Sequence, residues 1–348
     1  MKVVAKPNLA AIHPYKPGKP IEEVVRELKL RGEVIKLASN ENPIGPSPKA
    51  ITAMRRALRE MQLYPDDSCF YLRRRLAERF SVGEDWIVLG NGSVEIILFT
   101  ALAYLSPEQS VVISDGAFIM YKIAAQIAGA QILTTSMRDY AHDLDAMARA
   151  VRSDTRIVYI ANPNNPTGTI VTREELTQFM ARIPDHVLVV VDEAYREYIT
   201  AAEYPDSFEY LRAGRNIMIL RTFSKIYGLA GLRIGYGFAR PELLLDIAKM
   251  RLPFNVNRIG QIAALAAIDD DAHVRRSVAT NAEGKEFLSA AFSRLGLKFV
   301  PSYANFIMVD FGRDARQIFE RLQRKGVITR PIREYGFPNA LRISIGTE

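Results

Sequence analysis

Cysteine is nearly absent from this chain of 348 residues, in which Cys69 is the only one. A single cysteine excludes an intramolecular disulfide framework and is typical of proteins from a reducing compartment. Because no His or Asp arrangement accompanies Cys69 in the sequence, we expect a structural thiol and not a nucleophile.

Long apolar runs are also missing. The longest apolar segments, such as residues 94–105, are shorter than the roughly 20 residues needed to cross a bilayer. The first seven residues contain no apolar stretch of the length found in signal peptides. These absences predict a cytoplasmic protein with no membrane partner.

Clustered charge and metal-ligand spacing are lacking as well. The net charge is +7, from 46 basic and 39 acidic residues, but the basic residues are scattered among acidic ones. Residues 73–75 form the only tight basic run, and no zinc-ligand spacing occurs. The sequence therefore predicts neither a nucleic-acid partner nor a metal site, and the excess positive charge suits anionic small molecules.

What the chain does contain is a regular alternation of strand and helix signals from Trp86 onward. This alternation predicts an α/β fold, with a mostly parallel sheet between two layers of helices. Residues 241–295 read as mostly helical with a break at Pro253, and the tail alternates short strands with one helix over 313–325. The predicted strands are 87–89, 111–114, 131–134, 157–160, 188–191, 217–220 and 235–238, with helices from Ser93 and over 119–127.

Lys225 is the first candidate for chemistry. It follows the apolar run 217–220 and the hydroxyl residues Thr222 and Ser224, and it precedes a glycine-rich turn that carries Arg233. A lysine removed from water loses its proton readily and can form a Schiff base with a carbonyl. The hydroxyls and the guanidinium suit a phosphate, so the stretch fits a ligand such as pyridoxal phosphate, which carries an aldehyde and a phosphate.

Two polar turns upstream complete the pattern. Asp192 ends a run of four aliphatic residues, where α/β sheets bind ligands, and its carboxylate could keep a pyridine nitrogen protonated. Tyr195 follows three residues later and could donate to the ring oxygen. Asn165, in the turn Asn165-Pro166-Thr167-Gly168 after another apolar run, carries an amide that could donate to the same oxygen.

The order and spacing of these pieces resemble the fold-type I, pyridoxal-phosphate-dependent aminotransferases. Asp192 lies 27 residues after Asn165, Lys225 lies 33 residues after Asp192, and Arg233 lies eight residues after Lys225. Within this group, several stretches are similar to the histidinol-phosphate aminotransferases: residues 13–23, 36–43, 45–50, 139–147, 328–331 and 336–347. The similarity covers nearly the whole chain, from about residue 9 to residue 347.

The resemblance implies a role for each matching residue. Lys225 would attach the cofactor and move the proton, Asp192 would bind the ring nitrogen, and Asn165 and Tyr195 would bind the phenolic oxygen. Phe118 would stack on the ring. The cofactor phosphate would be bound by Gly92, Ser93, Val94, Ser224 and Arg233, and by Tyr64 from the neighbouring subunit of a homodimer.

Substrate recognition is implied less specifically. Arg342 and Arg330 match the positions that bind substrate anions, and Tyr15 matches a residue that lines the substrate pocket. The implied reaction exchanges an amino group between histidinol phosphate and 2-oxoglutarate, within histidine biosynthesis. An aromatic amino-acid aminotransferase on the same scaffold is an alternative, as is a non-catalytic regulatory domain that binds the cofactor.

The family pattern also implies two domains. The large, cofactor-binding domain would comprise residues 36–270, and a discontinuous small α+β domain would comprise residues 1–35 and 271–348. Family members continue through a final helix beyond the point that corresponds to Glu348, so we expect the small domain of this sequence to lack that helix.

Overall fold

The computed structural model describes residues 3–14 and 18–347. The strands are Ile35–Lys36 (β1), Ile87–Gly90 (β2), Ser110–Ser114 (β3), Gln131–Thr135 (β4), Met137–Arg138 (β5), Ala141–His142 (β6), Thr155–Ala161 (β7), Leu188–Asp192 (β8), Ile217–Thr222 (β9), Gly235–Phe238 (β10), Lys298–Val300 (β11), Phe306–Asp310 (β12), Val327–Ile328 (β13), Arg330–Ile332 (β14) and Phe337–Ser344 (β15). The α-helices are Ile21–Leu28 (α1), Pro48–Ala57 (α2), Phe70–Phe80 (α3), Ser93–Tyr104 (α4), Ile119–Ala128 (α5), Leu144–Ala150 (α6), Arg173–Arg182 (α7), Ser207–Arg212 (α8), Pro241–Ala248 (α9), Arg258–Ala267 (α10), Asp271–Arg294 (α11) and Arg316–Arg324 (α12).

The largest sheet has seven strands in the order β2-β10-β9-β8-β7-β3-β4. Strands β9, β8, β7, β3 and β4 pair in parallel, and only β10 runs antiparallel to its neighbours. The prediction of a mostly parallel α/β sheet is therefore confirmed. Each of the seven strands predicted from residue 86 onward is present, with ends that differ by at most two residues.

Continuous aliphatic runs form the central strands because both faces of this sheet are covered. Val189 and Val191 of β8 pack into one apolar cluster, and Leu188 and Val190 pack into a second cluster on the other face. All four side chains are buried. Successive strand residues point to opposite faces, so a run with no polar alternation is stable only between two helical layers.

A second sheet of four antiparallel strands has the order β11-β12-β15-β14. Helix α11, of 24 residues, immediately precedes this sheet in the chain. The first strand, β1, pairs in parallel with β13, so the segment before the large sheet joins the tail of the chain. This pairing agrees with a discontinuous small domain, although the boundaries at residues 35/36 and 270/271 stay a prediction.

Cys69 is buried at the start of α3. Burial raises the pKa of its thiol to about 11, so the thiol stays protonated at neutral pH and is a poor nucleophile. Within the described ranges, no group of three or more His, Cys, Asp and Glu side chains is placed to hold a metal ion. Over the same residues, no helix combines the length and apolar character required to span a membrane.

Candidate active site

A cavity of about 280 Å³ lies beyond the carboxyl ends of β7, β8 and β9. Ligands of open α/β sheets bind at this edge because loops from neighbouring strands meet there. Most of the predicted site residues line the cavity: Gly92, Ser93, Val94, Phe118, Asn165, Asp192, Tyr195, Ser224, Lys225, Arg233 and Arg342. The cavity lining includes neither Tyr64 nor Arg330, and Tyr15 lies outside the described residues.

Lys225 follows β9 and extends into this cavity. Its Nζ atom donates a hydrogen bond of 3.1 Å to the backbone oxygen of Ser39 and lies 5.7 Å from the centre of the Tyr195 ring. Burial lowers the pKa of Lys225 to about 7, and the nearby positive charge of Arg342 acts in the same direction. A substantial fraction of this amine is therefore neutral, and nucleophilic, near neutral pH.

Asp192 is the last residue of β8 and is also buried. Its carboxylate accepts hydrogen bonds from the hydroxyl of Tyr121 at 2.9 Å and from the backbone N–H of Ala194 at 3.2 Å. Burial raises the pKa of Asp192 to about 6, because desolvation outweighs these two donors. A cationic partner such as a protonated pyridine nitrogen would relieve this cost.

Tyr121 is a site residue that the sequence analysis missed. Its ring stacks on that of Tyr159 with centres 4.6 Å apart, and it packs edge-on against Phe118 at 5.7 Å. The side chain fixes the carboxylate of Asp192 and lines the cavity. The available signal was its position three residues after Phe118, on the helix that Phe118 introduces.

The turn before α4 forms one wall of the cavity. Gly92 precedes the helix with φ of +81°, and a Cβ atom there would lie 2.5 Å from Nη2 of Arg233. The guanidinium of Arg233 thus lies against the start of a helix, where the N–H groups of the first turn have no partners within the helix. Ser224 is next to it, with its Oγ atom 3.5 Å from Nη1 of Arg233. Backbone donors, a hydroxyl and a guanidinium therefore surround one space that suits a phosphate.

Arg342 crosses the cavity from β15 in the second sheet. Its guanidinium donates to Oδ1 of Asn165 and to the backbone oxygen of Ala38, both at 2.6 Å, while Nε is buried without a partner. Because Oδ1 of Asn165 accepts from Arg342, the amide Nδ2 of Asn165 can donate to a ligand in the cavity. An anion bound here would satisfy the remaining N–H of Arg342.

Arg330 lies directly opposite Arg342 in the pairing of β14 with β15, so the two side chains share one face of the sheet. Arg330 is buried and forms an ion pair with Glu334. It lines a neighbouring cavity with His13, Lys19 and Arg333. The two arginines that the sequence analysis assigned together to the substrate therefore line two neighbouring cavities.

Asn40 is the second residue that the sequence analysis missed. It is buried, adopts a left-handed conformation with φ of +54°, and lines the cavity. Its Nδ2 donates to the hydroxyl of Tyr195 at 2.9 Å. Asn40 lies in a stretch that carries the family resemblance, but nothing in the sequence there indicates a hydrogen bond between Asn40 and Tyr195.

Comparison with known proteins places this geometry in a family. The family described as aminotransferase class I and II matches residues 32–348 of this chain. The chain belongs to the class I and II aminotransferases. The match covers both sheets and every described residue of the cavity lining except Gly18.

Individual relatives of this aminotransferase are similar over nearly its whole length. The chain is 51% identical over 340 residues to the histidinol-phosphate aminotransferase of Moorella thermoacetica, covering 97% of this chain and 88% of the relative. It is 48% identical over 344 residues to histidinol-phosphate aminotransferase 2 of Pseudomonas fluorescens, covering 99% and 93%. A crystal structure of histidinol-phosphate aminotransferase from Sinorhizobium meliloti in complex with pyridoxal-5'-phosphate superimposes with a TM-score of 0.90, at 29% identity, over 99% of this chain and 93% of that one.

The cavity of this aminotransferase fits pyridoxal phosphate in three separate respects. Lys225 has the lowered pKa that attack on an aldehyde requires. Asp192 is a buried carboxylate that lacks a cationic hydrogen-bond partner among the described residues. Arg233 lies against Gly92 at the start of α4, where a phosphate would complete the donors.

Proposed function

We propose that this protein is a histidinol-phosphate aminotransferase, which exchanges an amino group between histidinol phosphate and 2-oxoglutarate with pyridoxal phosphate as cofactor. The observation that carries the proposal is Lys225, whose pKa is lowered to about 7 by burial in a cavity shared with Asp192 and Arg233. The relatives of highest identity described above have this name, and the match spans 97% of the chain.

The chemistry divides between the cofactor and the protein. Bound pyridoxal phosphate supplies the aldehyde that takes up the amino group and the ring that accepts the electron pair from the substrate carbon. Asp192 would pair with the protonated ring nitrogen, and Tyr195 and Asn165 would donate to the phenolic oxygen. The backbone at Gly92, Ser93 and Val94, together with Ser224 and Arg233, would bind the phosphate, while Phe118 would cover one face of the ring.

Lys225 has two tasks in this scheme. Its neutral amine would hold the cofactor through the aldehyde, and as a base it would move the proton between the substrate carbon and the cofactor. A pKa near 7 suits both tasks, because the amine accepts a proton and releases it again at little cost.

Substrate anions are bound by cations from the second sheet. Arg342 lines the cavity, Arg330 lies beside it on the same face of the sheet, and both would bind the carboxylate of glutamate and the phosphate of histidinol phosphate in turn. A pair of forked guanidiniums can bind either anion, as a reaction in which both substrates use one site in turn requires.

We further propose that the protein works as a homodimer in the cytoplasm. Tyr64 is 78% exposed and stacks on Phe254 at 4.6 Å, and neither residue lines the cavity of its own chain. Close to this pair in the sequence, further large apolar side chains are exposed, which is typical of a subunit interface: Leu58, Met61, Leu63 and Leu252. The single cysteine supports the cytoplasmic location.

The ratio of kcat/KM for histidinol phosphate to that for phenylalanine, each with 2-oxoglutarate, tests the function. We expect a ratio well above one, and phenylalanine turned over more efficiently than histidinol phosphate would make the protein an aromatic amino-acid aminotransferase.

Arg342→Ala should impair both half-reactions by about 2–4 kcal/mol in transition-state binding. Tyr15→Phe should impair histidinol phosphate more than glutamate. Lys225→Ala should still bind the cofactor without attachment, and turnover retained by this variant would contradict the mechanism.

A further inference from the structure

Asn40 is held by four hydrogen bonds, and they come from both halves of the molecule. Its backbone N–H donates to Oγ of Ser344 at 2.8 Å, and its Oδ1 accepts from the same hydroxyl at 3.0 Å. Its backbone oxygen accepts from Nδ2 of Asn305 at 3.0 Å, and its Nδ2 donates to Tyr195 at 2.9 Å. Ser344 ends β15 and Asn305 directly precedes β12, so the second sheet fixes a residue that contacts the cavity of the first.

The direction of each hydrogen bond in this chain follows from the atoms that the structure brings together and from what each atom can donate or accept. A backbone N–H can only donate, so Oγ of Ser344 accepts from Asn40 and its own proton is left to donate. In the structure that proton meets Oδ1 of Asn40, and the NH2 group of the amide lies beside Tyr195. The orientation of the Asn40 amide is therefore set by Ser344.

The orientation of the Asn40 amide determines where the hydroxyl proton of Tyr195 can point. An amide NH2 has no acceptor capacity, so the oxygen of Tyr195 must accept from Asn40, and its single proton must point away from Asn40. Tyr195 lines the cavity with Lys225 and Asp192. A hydroxyl that accepts one hydrogen bond is also polarised into a stronger donor.

We propose that Asn40 is a positioning residue that directs the proton of Tyr195 toward the phenolic oxygen of pyridoxal phosphate. The inference rests on the proposed function, because that function supplies the acceptor in the cavity. Asn40 acts only through Tyr195, and Ser344 acts through Asn40. The second sheet thus contributes to the electrostatics of the cofactor through a chain of three side chains.

Asn40→Asp tests the proposal because it replaces the NH2 group that donates to Tyr195 with an oxygen that can only accept. Asp has nearly the same shape, tolerates the left-handed conformation, and still accepts from Ser344, but its second oxygen accepts where the amide donated. The proton of Tyr195 would then turn to the introduced carboxylate and leave the cofactor. Asn40→Gly, which suits the same backbone conformation, removes the donor without adding charge.

The measurement is a pH titration of the visible absorbance of the bound cofactor. A hydrogen bond to the ionised phenolic oxygen stabilises it, so losing that bond should raise the apparent pKa of the cofactor. We expect Tyr195→Phe to raise it by about one pH unit, the size of one hydrogen bond to a charged group. Asn40→Asp should raise it at least as far, and Asn40→Gly by less.

A double-mutant cycle separates the relay from the added charge. In the Tyr195→Phe background, Asn40→Asp should produce a smaller rise, due to the carboxylate charge alone, and Asn40→Gly and Ser344→Ala should produce none. Equal rises in both backgrounds would overturn the proposal, and so would an unchanged pKa in Asn40→Gly and Ser344→Ala. Failure of the proposed function is distinct: without cofactor binding the unmodified protein would show no absorbance to titrate, and a different amino-acid substrate would change the kcat/KM ratio but not this titration. Thermal unfolding of each variant verifies that it is folded.

Discussion

Lys225 and Asp192 depart from their ordinary pKa values in opposite directions, and burial is the largest cause for both. Desolvation disfavours the charged form of each group, so the Lys225 ammonium loses its proton more readily than usual and the Asp192 carboxyl loses its proton less readily. Neither departure stabilises the folded protein at neutral pH, and both prepare the cavity for a ligand. Such pairs are typical of functional sites.

Asp192→Asn should stabilise the cofactor-free protein at neutral pH. Because folding raises the pKa of Asp192 from 3.8 to about 6, its contribution to stability is full below the unfolded value and is lost as the pH rises through about 6. Asn does not ionise and avoids this loss. The free energy of unfolding of the variant relative to the wild type should therefore increase by about 1–2 kcal/mol between about pH 5 and about pH 7.5.

Urea titration of both cofactor-free proteins at the two pH values measures this difference. The same substitution should weaken cofactor binding, because a neutral amide cannot balance a protonated ring nitrogen. A difference in stability that does not vary with pH would show that Asp192 is already ionised without cost. Tyr121→Phe is a useful comparison, since it removes a donor to Asp192 and should raise its pKa further.

At the scale of elements, close approach of β10 to the start of α4 forms the phosphate-binding wall. Gly235 of β10 pairs with Gly90 of β2, and a Cβ atom on Gly235 would overlap the backbone nitrogen of Ser93. Only a residue without a side chain allows the helix to begin this close to the sheet. The position of the helix N-terminus, and with it the backbone donors, thus depends on a glycine of another strand.

Gly235→Ala should displace the start of α4 and weaken cofactor binding by about 1–3 kcal/mol, the usual cost of overpacking. Gly231→Ala is the matched control in the neighbouring turn, where no heavy atom lies within 4 Å of the added Cβ. Fluorescence titration of the cofactor-free proteins with pyridoxal phosphate gives the two dissociation constants. Equal constants for the two variants would contradict the importance of this contact.

At the scale of the whole molecule, the proposed dimer would complete the cofactor site. Tyr64 and Phe254 form an exposed stacked pair, and Phe254 has a left-handed backbone with φ of +57°. An exposed aromatic pair in a strained segment is more readily explained by a subunit contact than by stability of the single chain. Tyr64 would then donate its hydroxyl to the phosphate in the neighbouring subunit.

Tyr64→Phe should weaken cofactor retention by about 1–2 kcal/mol, the value of one hydrogen bond to a charged group. Tyr71→Phe, at another exposed tyrosine, is the control and should have no effect. Hybrids that combine Tyr64→Phe with Lys225→Ala chains test whether two subunits share each site. A fully active monomer by light scattering would exclude the role of Tyr64.

Several features followed from the sequence by itself. Runs such as residues 188–191 predicted buried parallel strands, because only a sheet covered on both faces tolerates uninterrupted aliphatics. Polar residues at the ends of those runs predicted a site at one edge, and the spacing from Asn165 to Arg233 identified the family. These inferences succeeded because they depend on local periodicity and on the order of motifs along the chain.

Other features were decided only by the tertiary structure. Asn40 and Ser344 are separated by 304 residues, so no local pattern indicates their contact with each other or with Tyr195. The packing of the elements likewise decides that Tyr121 contacts Asp192. It also decides that Arg342 lines the cavity whereas Arg330 does not. Sequence periodicity specifies which face of an element is apolar, whereas the hydrogen-bond partner of a buried polar atom depends on long-range packing, which brings distant segments into direct contact.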